Sequence, residues 1–173
     1  DIPLIKQCAS KKKPMIIATG VARESDIRLA IEACLSEGNR DIILLKCTSA
    51  YPTPYEDVNL NMIPTLAQEY GCVMGLSDHT MGSAVAVASV ALGARMIEKH
   101  LTLKRSDGGP DGAFSMEPQE FAELVKNVRM VEKALGSKEY KLTPVQETER
   151  EGARSLFIVK DIKQGSLDRK SVV

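Results

Sequence analysis

From residue 14 to residue 136 the chain alternates short apolar runs with helical stretches whose apolar residues fall on one side, and this rhythm constrains the fold more than any other feature. Pro14 to Ala18 carries no charge and stops at Gly20, as a strand covered on both faces requires. Ile27, Ala30, Ile31, Cys34 and Leu35 then recur at helical spacing, and Gly38-Asn39 closes that helix. Ile42 to Leu45 is a second strand, running on to Cys47, followed by a loop over 48–59 and a helix near 61–70 with Ile63, Leu66 and Ala67 inward. Val73 to Leu76 is a third strand, 83–92 a helix of small residues ending at Gly93, and Arg95 to Glu98 a short fourth strand. The last helix, 117–135, buries Phe121, Leu124, Val125, Val128, Val131 and Leu135 and stops at Gly136.

Consecutive strands joined by helices run parallel with right-handed crossovers. Two architectures fit: a doubly wound open sheet, or part of a (β/α)8 TIM barrel. A whole barrel takes roughly 250 residues, so four units make half of one. Leu4, Ile5 and Cys8 read as the tail of a preceding helix, and a start at Asp1 without methionine leads us to expect a piece of something longer. The expected organisation is half of a barrel over 1–136, a polar linker over 137–152 containing Pro144, and a second module beginning at 153–173, where Ala153 to Gly165 reads as strand and turn.

Composition narrows the function. The 23 Lys+Arg balance 23 Asp+Glu, and the one basic cluster is Lys11-Lys12-Lys13, so no footprint for a polyanion is present and no nucleic-acid partner is expected. No apolar run nears the roughly 18 residues of a membrane helix, and the N-terminal segment lacks a targeting pattern. Cys8, Cys34, Cys47 and Cys72 are irregularly spaced without a C-x-x-C pair, as reduced thiols in a cytoplasmic protein would be.

In parallel α/β proteins ligands bind beyond the carboxyl ends of the strands. Those ends here read Ala18-Thr19-Gly20, Lys46-Cys47-Thr48-Ser49, Ser77-Asp78-His79 and Glu98-Lys99-His100, with polar groups crowded there and sparse in the strand bodies. His79 and His100 are the two histidines, one beyond each of two neighbouring strands, and two imidazoles so placed can share a cation. The alternative is a pair of ordinary solvent-facing or hydrogen-bonded histidines. Asp78 and Glu98 are candidates to orient the rings. The hydroxyls of Thr19, Thr48, Ser49, Ser77 and Thr80 are candidate donors to a phosphate or carboxylate, and Lys46 and Lys99 candidate cations at the same mouth, each with a turn, cap or solvated surface as the plainer reading. Gly108-Gly109-Pro110-Asp111-Gly112 is either a connector or a loop whose Asp111 meets a polyol. P-loop, dinucleotide and nucleophile-elbow motifs are missing from the sequence.

Four segments carry a resemblance. Cys47-Thr48-Ser49-Ala50-Tyr51-Pro52-Thr53-Pro54-Tyr55-Glu56-Asp57-Val58-Asn59-Leu60, Gly75-Leu76-Ser77-Asp78-His79-Thr80-Met81-Gly82-Ser83, Ile97-Glu98-Lys99-His100, and Gly109-Pro110-Asp111 with Phe114-Ser115-Met116-Glu117-Pro118 resemble the nonulosonic (sialic) acid synthases in order and spacing over nearly the whole chain. That resemblance implies a (β/α)8 barrel followed by an antifreeze-like (SAF) domain, a homodimer, and condensation of phosphoenolpyruvate with the aldehyde of an N-acetylated sugar. It implies His79 and His100 as ligands of Mn2+, or of another divalent ion such as Mg2+ or Co2+, which polarises the aldehyde. It implies Glu98 as the proton-handling carboxylate, Ser77 as a phosphoenolpyruvate contact, and Ser49, Tyr51 and Asp111 as lining the sugar site.

Two departures stand out: Ala18 where the family usually has a serine, a contact Thr19 can supply, and Ser49 where sialate synthases often have asparagine. The wording Cys47 to Tyr51 and Ala113 to Met116 resembles the pseudaminate branch, favoured here, although the Gly109-Pro110-Asp111 loop is more like the sialate branch. Relative to the family the chain lacks the first half of the barrel, with its lysine and acidic residues, and most of the antifreeze-like domain. The polypeptide alone is therefore expected to be inactive, as a fragment or as an associating species. The rivals are a non-catalytic sugar- or phosphate-binding barrel scaffold, and another metal-dependent barrel enzyme such as an aldolase or phosphohydrolase.

Overall fold

Four parallel strands, β1 (Met15–Ala18), β2 (Ile42–Cys47), β3 (Val73–Asp78) and β4 (Met96–Lys99), lie side by side in chain order. They alternate with the helices α1 (Ile2–Ala9), α2 (Glu24–Ser36), α3 (Met62–Tyr70), α4 (Ala84–Ala91) and α5 (Pro118–Ala134). This computed structural model describes residues 1–154 and 161–167. The chain divides into two units, Asp1–Gly136 and Ser137–Val173.

Side-chain parity separates the two architectures that the sequence allows. Ile42, Leu44 and Met74 pack with Ala9 of α1, Ile31 and Cys34 of α2, and Ile63 and Leu66 of α3. Leu76 packs with Ala86 of α4 and Leu124 of α5. All five helices thus cover the same side of the sheet, whereas a doubly wound sheet would carry helices on both. With the strand order sequential as well, the first unit is a curled half of a (β/α)8 barrel. Alternate residues point the other way by the two-residue period of a strand. On that inner side Ile16 is 54% and Val73 49% exposed.

Local chemistry explains where elements stop. Gly38 takes φ 68° after α2, and the amides of Gly38 and Asn39 return to the Leu35 and Cys34 carbonyls at 2.8 and 3.0 Å, a Schellman ending. The buried Asn39 amide group then donates to the carbonyls of Ala9 and Lys13 at 3.2 and 2.8 Å, tying the end of α1 and the entry to β1 to the end of α2. β3 is two residues longer than its apolar run, because Ser77 and Asp78 continue the ladder against Glu98 and Lys99.

In the second unit the stretch read as a polar linker contains a helix, α6 (Pro144–Glu151). Thr143 and Gln146 form a capping box with Pro144 in the first turn, and these start signals outweigh the polar composition. Of the stretch read as strand and turn, the turn is present, with the Ser166 amide on the Lys163 carbonyl at 3.1 Å. Residues 155–160 and 168–173 lie outside the described residues, and with them most of the expected antifreeze-like module. Among the described residues no helix is long and apolar enough to cross a membrane.

Candidate active site

The carboxyl ends of all four strands open on one cavity of about 560 Å³, a size suited to small-molecule ligands. Its walls include Ala18, Thr19, Cys47, Ser49, Tyr51, Ser77, His79, Glu98 and His100. Seven of the eight residues that the family resemblance points to therefore border a single space.

Strand parity makes the arrangement. Ser77 and His79 are two residues apart, as are Glu98 and His100, so each pair shares the inner face of its strand. Ser77 and Glu98 are register partners, which sets His79 beside His100 just past the last rung. The two imidazoles stand edge to face, with centroids 5.2 Å apart. Ser77 Oγ lies 2.5 Å from Glu98 Oε2 and 3.4 Å from His79 Nε2. Its single proton goes to the closer and charged partner.

His79 Nδ1 lies 2.9 Å from the Thr48 carbonyl. A carbonyl only accepts, so Nδ1 carries the proton and the lone pair of a neutral ring is on Nε2. With the Ser77 proton on Glu98, that lone pair has no donor and faces the cavity. His100 Nδ1 lies 3.5 Å from Asp111 Oδ2. His79 thus has one nitrogen held by an oxygen and the other available, as a metal-binding histidine would, while His100 has a carboxylate close by without a hydrogen bond to it. Among the described residues no group of three or more His, Cys, Asp or Glu side chains is gathered tightly enough to enclose a cation. A cation here would be offered two imidazoles and little else from the protein, a set that would suit an ion keeping water or substrate oxygens in its shell.

The loop after β2 supplies the cover. Thr53 donates its amide to the His79 carbonyl at 3.0 Å and its hydroxyl to the Ala50 carbonyl at 2.8 Å, folding the turn that contains Tyr51. The Tyr51 ring lies 4.2 Å from the His79 ring, yet Tyr51 remains 52% exposed. Phe114 approaches from the glycine-rich loop, 5.1 Å from the His100 ring and 5.5 Å from Tyr51. Sequence reasoning assigned Phe114 no role, and no periodicity marks a residue in a loop. Asp111 is brought to His100 but is not part of the cavity wall, and its side chain is 58% exposed.

Several expected participants are elsewhere. Asp78 touches neither ring; it faces the helices and pairs with Lys99. The ring neighbours are the Thr48 carbonyl and Asp111 instead. Lys99 is buried with Asp78 and is not at the mouth. Lys46 also points to the helix side, donating to the Cys47 carbonyl and to Thr48 Oγ1, both at 3.0 Å. Burial holds its ammonium below the usual lysine range. The Thr80 hydroxyl is taken by Asp78 and that of Thr48 by the Asp57 carbonyl. Thr19 remains on the cavity, its oxygen accepting from the Cys47 amide at 3.1 Å, so its proton is free for a ligand.

The NeuB family matches residues 1–140. An uncharacterised Methanocaldococcus jannaschii protein, MJ1065, is 48% identical over 94% of the chain and 49% of its own length. The pseudaminic acid synthase of Helicobacter pylori is 43% identical over 95% of the chain and 49% of its own. The N,N'-diacetyllegionaminic acid synthase of Legionella pneumophila is 39% identical over 96% and 48%. The crystal structure of the N-acetylneuraminic acid synthetase of Leptospira borgpetersenii superposes with a TM-score of 0.80 at 34% identity, covering 87% of the chain and 53% of that protein. The chain spans about half the length of the curated relatives it matches.

Proposed function

The chain belongs to the NeuB family, and on that footing we propose that it carries the strand ends at which a nonulosonic acid synthase joins phosphoenolpyruvate to the open-chain aldehyde of an N-acetylated sugar. The observation that carries this reading is the in-register pairing of Ser77 with Glu98, with the His79 and His100 rings side by side just past the ladder and the His79 Nε2 lone pair left over.

In the proposed reaction the enol carbon of phosphoenolpyruvate bonds to the aldehyde carbon, whose oxygen gains a proton. Water adds to the former enol-ether carbon, losing a proton, and the carbon–oxygen bond to phosphate breaks. His79 Nε2 and His100 would hold a divalent ion such as Mn2+, which when bound would supply Lewis acidity towards the aldehyde. Glu98 is the group placed to take the proton of the incoming water, and Ser77 holds its carboxylate in position. The Thr19 hydroxyl serves phosphoenolpyruvate, standing in at the rim where Ala18 offers nothing polar, while Ser77, its proton given to Glu98, borders the same space. Ser49 and Tyr51 meet the sugar, and Asp111, standing near His100, meets a sugar hydroxyl. Similarity to the pseudaminic acid synthase, together with the Cys47 to Tyr51 wording, favours the 6-deoxy-2,4-diacetamido sugar. A cytoplasmic homodimer is the assembly we assign to the whole enzyme.

The test is to incubate the full-length protein with phosphoenolpyruvate, Mn2+ and either N-acetylmannosamine or the diacetamido sugar, measuring phosphate and 2-keto acid. Stoichiometric release with the diacetamido sugar is expected. Release with neither sugar would favour the binding-scaffold reading. His79→Ala is expected to lose Mn2+ and turnover together, and unchanged metal content and rate would remove the assignment.

A further inference from the structure

Between the two cavity-facing residues of each strand end lies one that faces the helices: Asp78 on β3 and Lys99 on β4, direct register partners. Their side chains are 1% and 2% exposed. Lys99 Nζ donates to Asp78 Oδ2 at 2.8 Å and to the Thr80 carbonyl at 2.7 Å. Asp78 Oδ1 accepts from the Thr80 amide at 2.9 Å and from the Thr80 hydroxyl at 2.8 Å. The residues on both sides of His79 are therefore tied to the residue immediately before His100.

We propose that Asp78 and Lys99 are positioning residues, whose buried ion pair sets the stagger of His79 relative to His100 from the opposite face of the sheet. The inference rests on reading the two histidines as a metal-binding pair.

Stability alone does not account for the ion pair. Removing two charges from water largely offsets their attraction, and an apolar pair of similar volume commonly holds a fold equally well. What an apolar pair lacks is direction. Here four hydrogen bonds end on particular atoms, and two of them hold the amide and carbonyl of Thr80. The other contacts place each histidine against its own loop: the Thr53 amide holds the His79 carbonyl at 3.0 Å, and the Met116 amide holds the His100 carbonyl at 2.9 Å. Beyond the strand ladder, among the described residues, the Asp78–Lys99 pair ties one histidine's segment to the other's on the helix side of the sheet, as the Ser77–Glu98 bond does on the cavity side, and it is the tie that also holds the residue after His79. Freed of it, the turn at Thr80 can swing, and the His79 ring with it leaves the Thr48 carbonyl.

The test uses the full chain with Asp78→Leu and Lys99→Met combined, an apolar pair that avoids stranding one buried charge. Two readouts apply: the affinity for Mn2+ alone, from the electron paramagnetic resonance signal of free ion, and the imidazole nitrogen resonances of metal-free protein. A folded double variant is expected to bind Mn2+ about tenfold more weakly. Its His79 signals are expected to pass from one tautomer, protonated on Nδ1, to a mixture. Unchanged tautomer signals with Mn2+ affinity within about twofold of wild type would overturn the proposal. If the double variant does not fold, Lys99→Arg is read in the same way, since the guanidinium keeps the charge but not the geometry. Altered His79 signals in that variant support positioning, and unaltered ones overturn it. Absence of Mn2+ binding by the wild type would sink the metal reading instead, and the tautomer measurement would then decide the positioning inference.

Discussion

Ser77 and Glu98 face each other across β3 and β4 as register partners, and the Ser77 hydroxyl donates to Glu98 Oε2 at 2.5 Å. The bond holds the carboxylate at the cavity that both histidines also line and keeps the serine proton off His79 Nε2. Serine and glutamate act there as one unit. Glu98→Gln is expected to lower kcat by about 100-fold or more, the scale of lost proton transfer, with Mn2+ affinity nearly unchanged. Ser77→Ala is expected to cost less, about tenfold, and the double variant little more than Glu98→Gln. Phosphate-release kinetics check all three; additive losses would mean that the two side chains work separately.

Gly75 is required by the close approach of β4. A methyl group at this position would lie 2.5 Å from the Met96 carbonyl oxygen and 2.5 Å from Leu45 Cδ2. The leucine tip can yield, but the backbone carbonyl belongs to the residue in register with Gly75. Gly75→Ala is expected to destabilise the fold by about 1–3 kcal/mol. Urea denaturation measures this. Because the strain falls two residues before Ser77, the variant should also bind Mn2+ more weakly even where it remains folded.

Lys46 predicts a pH dependence of stability. Burial lowers its pKa from the ordinary 10.5, so the folded chain gives up this proton at lower pH than the unfolded chain does. Between the two values the unfolded state binds more protons, and this contribution to stability rises with pH towards 10.5. Burial raises the thiols of Cys34 and Cys72, which oppose that rise in the same alkaline range. Comparison with Lys46→Met cancels the cysteines. The variant is expected to be relatively more stable than wild type at neutral pH than it is near the top of the range. Urea midpoints across the alkaline range test the sign, and a constant difference would contradict it.

Much of the site was legible in advance because strand residues obey a period of two. Ser77 with His79, and Glu98 with His100, are pairs that any parallel β/α reading places together at the carboxyl edge. The same period, applied one residue further, puts Asp78, Lys99 and Lys46 on the helix side, and these were the residues misplaced by treating each strand end as an undivided cluster of polar groups. The helix in 144–151 was announced by Thr143-Pro144 with Gln146, a start signal obscured by polar composition. The partner of His79 had no such trace, since the Thr48 carbonyl is a backbone atom that every residue type carries.

Local rules acting over a few residues thus account for the strands, the helices, their parallel sense and the edge at which chemistry collects, because hydrophobic period and capping are written in near neighbours. Choosing a barrel wall over a doubly wound sheet required seeing all five helices on one side. Fixing the proton of His79, bringing Asp111 and Phe114 to His100, and burying Lys99 against Asp78 each depended on contacts between segments separated by 11 to 31 residues or on atoms of the main chain. Such pairings arise when packing brings loops together, and no pattern along the chain encodes the distance at which they meet.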